Sequence, residues 1–233
     1  MIEVNNLSKS YGAVEVIKDI GFYVESGEIL GLLGPNGAGK TTIMRMLSGY
    51  HFPCSGTVKI NGYVLDEESL ELKNSIGYLP ENPAFYPDMT PAEYLDFAAE
   101  IRMIPADKKN NAVKKALEIC GLDSRKNQRI ETLSRGYRQR IGLAQALLHD
   151  PPVLILDEPL TGLDPGQIME MRGLIKNLRE NRAIVFSTHI LQEAESVCTK
   201  FIILNEGRIA AGGDMEQETS LEGIFRNLKG VDT

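Results

Sequence analysis

Gly34-Pro35-Asn36-Gly37-Ala38-Gly39-Lys40-Thr41-Thr42 follows an apolar run, Glu28 to Leu33, and leads into a helical pattern from Lys40 to about Leu47. The stretch contains the spacing Gly-x-x-x-x-Gly-Lys-Thr, and the order strand, loop, helix is the context in which this spacing forms a phosphate-binding loop. Glycines let the backbone curl so that successive N–H groups point inward, and the helix N-terminus adds unpaired N–H groups. The quoted residues, from Gly34 to Thr42, therefore predict a polyphosphate cradle.

Two side chains of this loop have a predicted chemical role. Lys40 is placed to reach the β- and γ-phosphates of a nucleoside triphosphate such as ATP, and Thr41 offers a hydroxyl to Mg²⁺. A glycine-rich turn that binds nothing is the alternative. The flanking strand and helix, together with a second motif downstream, argue against it.

The second motif is a pair of acids at the end of another strand. Val153 to Leu156 is continuously apolar, as in a parallel strand covered on both faces, and it ends in Asp157-Glu158-Pro159. Ligands of open α/β sheets bind at the carboxyl ends of strands, so these acids should face the phosphate loop. We expect Asp157 to hold Mg²⁺ through water and Glu158 to polarise or deprotonate the attacking water. The alternative is a pair of solvated turn residues.

The order of the elements predicts an interrupted α/β core. Apart from the helix after the phosphate loop, residues 1–81 show strand patterns, with Asn61-Gly62 as a hairpin turn. Strands alternate with helices over residues 151–233. Helical patterns dominate residues 82–150, where Thr90-Pro91-Ala92-Glu93 opens a helix that should reach about Ile104. We expect one domain over residues 2–228, in which a helical lobe is inserted into a parallel-sheet core.

Composition excludes several other classes of protein. The net charge of −7 argues against broad contact with nucleic acid, and the three cysteines lack the short C-x-x-C spacing of metal sites. No apolar run approaches the roughly 20 residues needed to span a bilayer. The N-terminal sequence also lacks the basic and apolar regions of a signal peptide, so we expect a cytoplasmic protein.

A third motif indicates the family. Leu133-Ser134-Arg135-Gly136-Tyr137-Arg138-Gln139-Arg140 lies between the two phosphate-site motifs and resembles the signature of ABC-transporter ATPases. The resemblance covers nearly the whole chain. It implies an α/β P-loop NTPase fold with a RecA-like parallel sheet core, an N-terminal antiparallel β subdomain and an inserted α-helical subdomain. The implied activity is ATP hydrolysis coupled to transport.

The resemblance also implies roles for further residues. In the family, two chains pair head to tail, and each ATP lies between one phosphate loop and the opposing signature. Here the implied partners are a second copy of the chain, or a related ATPase subunit, and a transmembrane permease on whose cytoplasmic side the ATPase sits. The implied residues are Tyr11 and Val16 at adenine, Ser134 and Gly136 at the partner's ATP, Asp164 in the D-loop, His189 at the γ-phosphate, and Glu81 as a Mg²⁺ ligand.

Several positions depart from the family pattern. Glu81 stands where the family usually has glutamine, and an ionised carboxylate can bind Mg²⁺ but cannot donate a hydrogen bond. The signature carries Arg135 and Tyr137 where glycine and glutamine are common, and Arg138 and Arg140 are interpreted as solvated helix charges. With the segment Gly77–Pro83, these features resemble ABC-2 exporters, nearest to the gliding-motility type. The aromatic residues Phe85 and Tyr86 are expected to receive the permease.

Two other functions remain open from the sequence. A non-transport ABC ATPase, for example one for cluster assembly, would share every motif. DNA-repair relatives carry a long coiled coil and translation relatives usually carry two ATPase modules, and this chain has neither feature. A regulatory sensor that binds ATP without turnover would also share the motifs. Hydrolysis in the presence of a permease distinguishes the sensor from the transporter.

Overall fold

A six-stranded sheet forms the centre of the molecule in a computed structural model that describes residues 1–66, 70–216 and 221–228. The strand order is β10-β9-β3-β8-β7-β6, and every neighbouring pair is parallel except the edge pair β9 and β10. All residues of β3 and β7 are buried, which agrees with their unbroken apolar sequences. The strands of this sheet are β3 Ile29–Leu33, β6 Ile76–Leu79, β7 Val153–Asp157, β8 Ala183–Thr188, β9 Lys200–Asn205 and β10 Arg208–Asp214.

A second, antiparallel sheet is formed by the N-terminal part of the chain. Its order is β2-β1-β4-β5, with β1 at Ile2–Tyr11, β2 at Val14–Val24, β4 at Ser55–Ile60 and β5 at Tyr63–Val64. Asn61 and Gly62 connect β4 to β5, and both have positive φ angles, 52° and 87°. Two positive φ angles are what a tight two-residue hairpin turn requires, so the predicted hairpin is confirmed.

Helices surround the central sheet and also form the predicted helical segment. The first helix of this segment, α3, starts with a complete capping box between Thr90 and Glu93 and has proline at its first position. It ends at Ile101, three residues before the predicted end. The helices are α1 Lys40–Leu47, α2 Leu70–Asn74, α3 Pro91–Ile101, α4 Ala106–Ile119, α5 Arg135–Leu147, α6 Pro165–Leu178, α7 Leu191–Val197 and α8 Leu221–Leu228. None of the described helices is long and apolar enough to cross a membrane.

The two faces of the central sheet belong to different apolar clusters. One cluster joins α3, α4 and α5 to one sheet face through residues such as Leu95, Leu154 and Phe186. The other joins α1 and the antiparallel sheet to the opposite face through residues such as Met44 and Ile155. The helical segment is therefore packed on the core through shared apolar contacts. Its division as an inserted lobe over residues 82–150 stays a prediction.

Arg140 corrects one sequence interpretation, because it is not a solvated helix charge. Its side chain is only 15% exposed, forms an ion pair with Glu170 of α6 and donates to the Cys120 carbonyl oxygen at 3.3 Å. The helical pattern placed Arg140 on α5 but could not show that α4 and α6 both pack beside it. The guanidinium stabilises that three-helix junction.

Candidate active site

The sheet order brings three predicted site segments to one edge. Strand β8 lies directly between β3 and β7, and all three are parallel. The loop after β3, the acids that end β7 and the histidine after β8 therefore emerge side by side at the carboxyl ends of the strands. This arrangement is the one expected for a ligand site in an open α/β sheet.

The loop after β3 depends on glycines at two crowded positions. Gly34 and Gly39 have φ angles of 153° and 107°, which side chains rarely adopt. A Cβ atom on Gly34 would lie 2.6 Å from the Leu204 carbonyl oxygen, and one on Gly39 would lie 2.5 Å from Ile17 Cδ1. The chain can pass between β2 and β9 only without side chains at these positions, which explains the spacing in the sequence.

Lys40 is a buried cation held by oxygen atoms at the start of α1. Its side chain is 6% exposed, and its Nζ donates to the carbonyl oxygens of Gly34 at 2.8 Å and Pro35 at 3.3 Å. The Nζ also lies 3.6 Å from Oε1 of Glu158. A buried ammonium needs such partners because desolvation is costly. The charge is therefore fixed inside the loop, where an anionic ligand can be bound.

Glu158 connects the loop to the histidine. Its Oε1 faces Lys40, while its Oε2 lies 2.9 Å from His189 Nδ1 and accepts from Thr161 Oγ1 at 3.0 Å. The residue has a φ angle of 47°, uncommon for a residue with a side chain, and its backbone N–H donates to Ser187 Oγ at 2.9 Å. Strained backbone of this kind is retained where neighbouring contacts hold it, and it is frequent at functional sites.

Asp157 is a buried carboxylate among other acids. Ser187 Oγ donates to its Oδ1 at 2.6 Å, and the side chain is 1% exposed. Burial raises the pKa of Asp157, and the charges of Glu158 and Glu81 raise it further, against the opposing effects of Ser187 and Lys40. A divalent cation would relieve this repulsion, so the donor set fits Mg²⁺, which prefers oxygen ligands. Within the described ranges no three His, Cys, Asp or Glu side chains form a complete metal site, so phosphate and water would supply the other ligands.

A cavity of about 400 Å³ unites most of the predicted residues. Its size is within the range of small-molecule sites. The cavity is lined by Val16, Asn36, Gly37, Gly39, Lys40, Thr41, Thr42, Glu81, Glu158, Thr161 and His189. Eight predicted residues do not line it, namely Tyr11, Gly34, Pro35, Ala38, Ser134, Gly136, Asp157 and Asp164.

The signature residues lie apart from this cavity. Ser134 is exposed and precedes α5, and its hydroxyl accepts from Tyr137 N at 3.5 Å and from Gln167 Nε2 at 3.2 Å. Gly136 is buried beneath the same Gln167, whose Oε1 lies 2.3 Å from where a Cβ atom would stand. A side chain at position 136 would displace Gln167 from the signature.

Asp164 and Tyr11 also have contacts of their own in the single chain. Asp164 caps α6 by accepting from Gln167 N at 3.0 Å. Tyr11 is 45% exposed at the end of β1, and its ring meets His51 edge-on, with centroids 5.9 Å apart. Both lie outside the cavity, so their predicted contacts with nucleotide stay predictions.

Sequence reasoning missed three residues that the structure places at the site. Ser187 connects Asp157 to the backbone of Glu158, Thr161 holds Glu158 Oε2, and Gln167 covers the signature. The signal for Thr161 was available, because a hydroxyl three residues after Glu158 can bond to it within one turn. Ser187 and Gln167 act across the fold, and no local pattern marks them.

Comparison with known proteins assigns the arrangement to one family. A model of the ABC transporter family matches residues 17–161, which include both the phosphate loop and the acidic strand end. The chain belongs to the ABC transporter family. It is an ATP-binding and ATP-hydrolysing subunit of that family, as its first and second motifs predicted.

Individual relatives agree over most of the chain. An uncharacterised ABC transporter ATP-binding protein, YxlF of Bacillus subtilis, is 42% identical over 93% of this chain and 72% of its own length. The bacitracin transport ATP-binding protein BcrA of Enterococcus faecalis is 40% identical over 90% of this chain and 68% of its own length. A solved ATP-binding subunit of an ABC transporter superposes with a TM-score of 0.87 at 32% identity, covering 98% of this chain and 99% of that one.

Proposed function

We propose that this chain is the ATPase subunit of an ABC-2-type exporter and acts as a head-to-tail dimer bound to a transmembrane permease. The contact of Glu158 with both Lys40 and His189 carries the proposal, because it places a carboxylate that can activate water between a phosphate-binding cation and a residue that can contact the γ-phosphate. The similarity to a bacitracin transport protein and the ABC-2-like motifs support export. The substrate class is left to the permease.

Each polar group of the cavity has a role in the proposed reaction. Lys40 offsets the charge of the β- and γ-phosphates once it exchanges the loop carbonyls for phosphate oxygens. Glu158 accepts a hydrogen bond, and then a proton, from the water that attacks the γ-phosphate. When both ring nitrogens of His189 carry a proton, Nε2 donates to that phosphate while Nδ1 donates to Glu158 and keeps it in place.

Thr41, Glu81 and Asp157 are the proposed residues for Mg²⁺. Thr41 and Glu81 line the cavity, and the pKa of Asp157 is raised first by its burial and then by the negative charges of Glu158 and Glu81. The cation supplies neutralisation of the phosphate oxygens when it is bound. Glu81 adds a full negative charge where the family usually has an amide, which favours retention of the cation at this position.

The residues outside the cavity are proposed to meet nucleotide in the dimer. Ser134 and Gly136 would contact ATP held by the second copy, with Asp164 beside them, because these residues gather around Gln167 on an exposed edge. Tyr11, which is exposed, would stack on adenine with Val16 beside it. Gly34, Pro35 and Ala38 shape the backbone of the loop.

Replacing Glu158 by Gln tests the proposal directly. The amide keeps the size of the side chain but cannot take a proton, so turnover should fall about 100-fold or more while ATP binding persists. Size-exclusion chromatography with light scattering should then show a stable dimer in ATP and a monomer without it. A wild-type protein that lacks hydrolysis even with its permease would instead indicate a nucleotide sensor.

The permease is proposed to dock on a groove beside α3. Tyr86 is 53% exposed and its ring packs against Phe97, while Phe85 is half-buried against Tyr94. These aromatic residues line a cavity of about 560 Å³ that adjoins Arg102. Exposed aromatic residues beside a groove are suitable anchors for a partner helix.

Alanine at both Phe85 and Tyr86 should abolish co-purification with the permease from detergent-solubilised membrane, and coupled transport with it. ATP binding by the isolated chain should be retained, because neither residue lines the nucleotide cavity. Tyr63→Ala is the matched control, since Tyr63 is 43% exposed on the antiparallel sheet. Unchanged co-purification of the double variant would contradict the docking site. A peripheral position on the inner face of the membrane follows from this partner, and no nucleic acid is involved.

A further inference from the structure

Glu193 is a buried carboxylate that the reaction described above does not use. It belongs to α7, is 3% exposed, and accepts a hydrogen bond from the hydroxyl of Thr188 at the end of β8. Burial raises the pKa of Glu193 and the nearby charge of Glu158 raises it further, while the hydrogen bond from Thr188 and the charges of Arg172 and His189 act in the opposite direction. A buried acid costs free energy unless its contacts are needed, so its position calls for a physical reason.

The hydroxyl of Thr188 connects the Glu193 carboxylate to the backbone N–H of Ile190, the residue that follows His189. Thr188 is fully buried, and its Oγ1 donates to Glu193 and accepts from the Ile190 backbone N–H at 3.1 Å. Because the Thr188 O–H donates its hydrogen bond to Glu193, a lone pair of the hydroxyl oxygen is left to accept from the Ile190 N–H. The residues before and after His189 are thus connected through one side chain.

This arrangement replaces an ordinary helix cap. Ile190 is the N-cap of α7 and has no side-chain acceptor of its own, and Glu193 is the third residue of the helix. In a capping box the glutamate at this position would bond directly to the N-cap N–H. Here the Thr188 hydroxyl lies between the two groups and hydrogen-bonds to both. The capping interaction therefore includes the residues on both sides of His189.

We infer that Glu193, acting through Thr188, is a positioning residue that holds His189 against Glu158. His189 Nδ1 lies 2.9 Å from Glu158 Oε2, although the histidine side chain is 43% exposed and has no other hydrogen bond in the described part of the chain. Its orientation therefore depends on the backbone that carries it. The positive charge of Arg172 lowers the pKa of Glu193, against the larger effect of burial.

The inference rests on the proposed role of His189 and can be tested separately from it. Thr188→Val removes the hydroxyl at nearly constant volume, and Glu193→Gln removes the charge. Each should lower kcat, the first about tenfold, while KM for ATP stays within about twofold, because the phosphate loop is untouched. Thr188→Ser should restore activity. Glu195→Gln is the matched control, since Glu195 lies on the same helix but accepts from Leu221 N.

The decisive measurement is the imidazole ¹⁵N spectrum. The chain has three histidines, His51, His149 and His189, so their signals can be assigned. Thr188→Val should move the Nδ1 signal of His189 and leave the other two unchanged. An unmoved His189 signal, or a fall in melting temperature alone, overturns the inference. If the signal moves but His189→Ala leaves kcat unchanged, the positioning stands and the proposed role of His189 fails.

Discussion

The phosphate loop and the signature are both glycine-containing turns that lead into helices, yet the single chain completes only the first. Lys40 is buried, and its ammonium has three oxygen neighbours within the chain. Ser134 is exposed, and its hydroxyl has one bond at 3.5 Å and one at 3.2 Å. The loop is a finished binding site, whereas the signature presents donor groups with no ligand from its own chain.

The charge around the signature supports the same contrast. The first turn of α5 contains no acidic residue, and Arg135 is exposed beside Ser134. A helix N-terminus carries a partial positive charge that favours an anion. At the other site, the acids Asp157 and Glu158 already accompany Lys40. Under the proposed dimer, the phosphates bound by one copy complete the signature of the other.

The largest expected effect on turnover comes from a single replacement in either the phosphate loop or the signature. Lys40→Ala removes the buried cation, and Ser134→Arg places a bulky side chain where the partner's ATP should lie. Each should lower turnover about 100-fold or more, because the first removes a donor aimed at phosphate and the second fills the space of the partner's phosphates. Lys40→Ala should also prevent ATP-driven dimerisation in light scattering. Arg45→Ala, an exposed change on α1, should affect neither property.

Mixing the two inactive variants sharpens the comparison further. In a mixed dimer, one site combines both defects, but the other pairs an intact Lys40 with an intact Ser134. When the permease holds the chains in randomly assembled pairs, half of the dimers are mixed and each has one intact site of two. An equal mixture should then recover about a quarter of wild-type turnover. Steady-state hydrolysis measures this recovery. A mixture as inactive as its components would refute the head-to-tail site.

The sequence predicted the loop well because its information is local. Glycine spacing, an apolar strand and a following helix lie within one short segment, and the structure placed them as expected. The two hydroxyls at Glu158 differ in this respect. Thr161 lies in the same turn as Glu158, whereas Ser187 comes from β8, and only the pairing of β7 with β8 brings it close.

The same distinction explains the errors. Arg140 was assigned to solvent because the pattern shows a helix face but not the neighbours that α4 and α6 provide. Helix α3 ends at Ile101 because Arg102 and Met103 form a turn. Met103 has a φ angle of 54°, and since it is not a glycine the sequence gives no signal for this turn. Ser134 caps α5 within one short segment, but its covering residue Gln167 belongs to another helix.

The smallest expected effect is on the free energy of unfolding, and it tests how much the Ser134 cap stabilises its helix. Thr90 caps α3 in a complete box, in which its backbone N–H donates to Glu93 at 2.8 Å and its hydroxyl accepts from Glu93 N at 3.3 Å. Within its own helix Ser134 accepts only the 3.5 Å bond from Tyr137 N, at the outer limit of hydrogen bonding, and its other bond comes from Gln167 of α6. Thr90→Ala should therefore lower the free energy of unfolding by about 1 kcal/mol, and Ser134→Ala by less.

Guanidinium unfolding measures the loss of stability in both variants, and the two losses should depend differently on pH. The backbone hydrogen bond from Thr90 lowers the pKa of Glu93, so the stabilisation from this box is present above the unfolded-state pKa and is lost as pH falls through the folded-state pKa. The cost of Thr90→Ala should shrink in acid, while that of Ser134→Ala should not. An equal or larger loss at Ser134 would mean that its hydroxyl is committed to the helix. A smaller loss leaves that hydroxyl available to the phosphate of a second copy, as the contrast between the two turns requires.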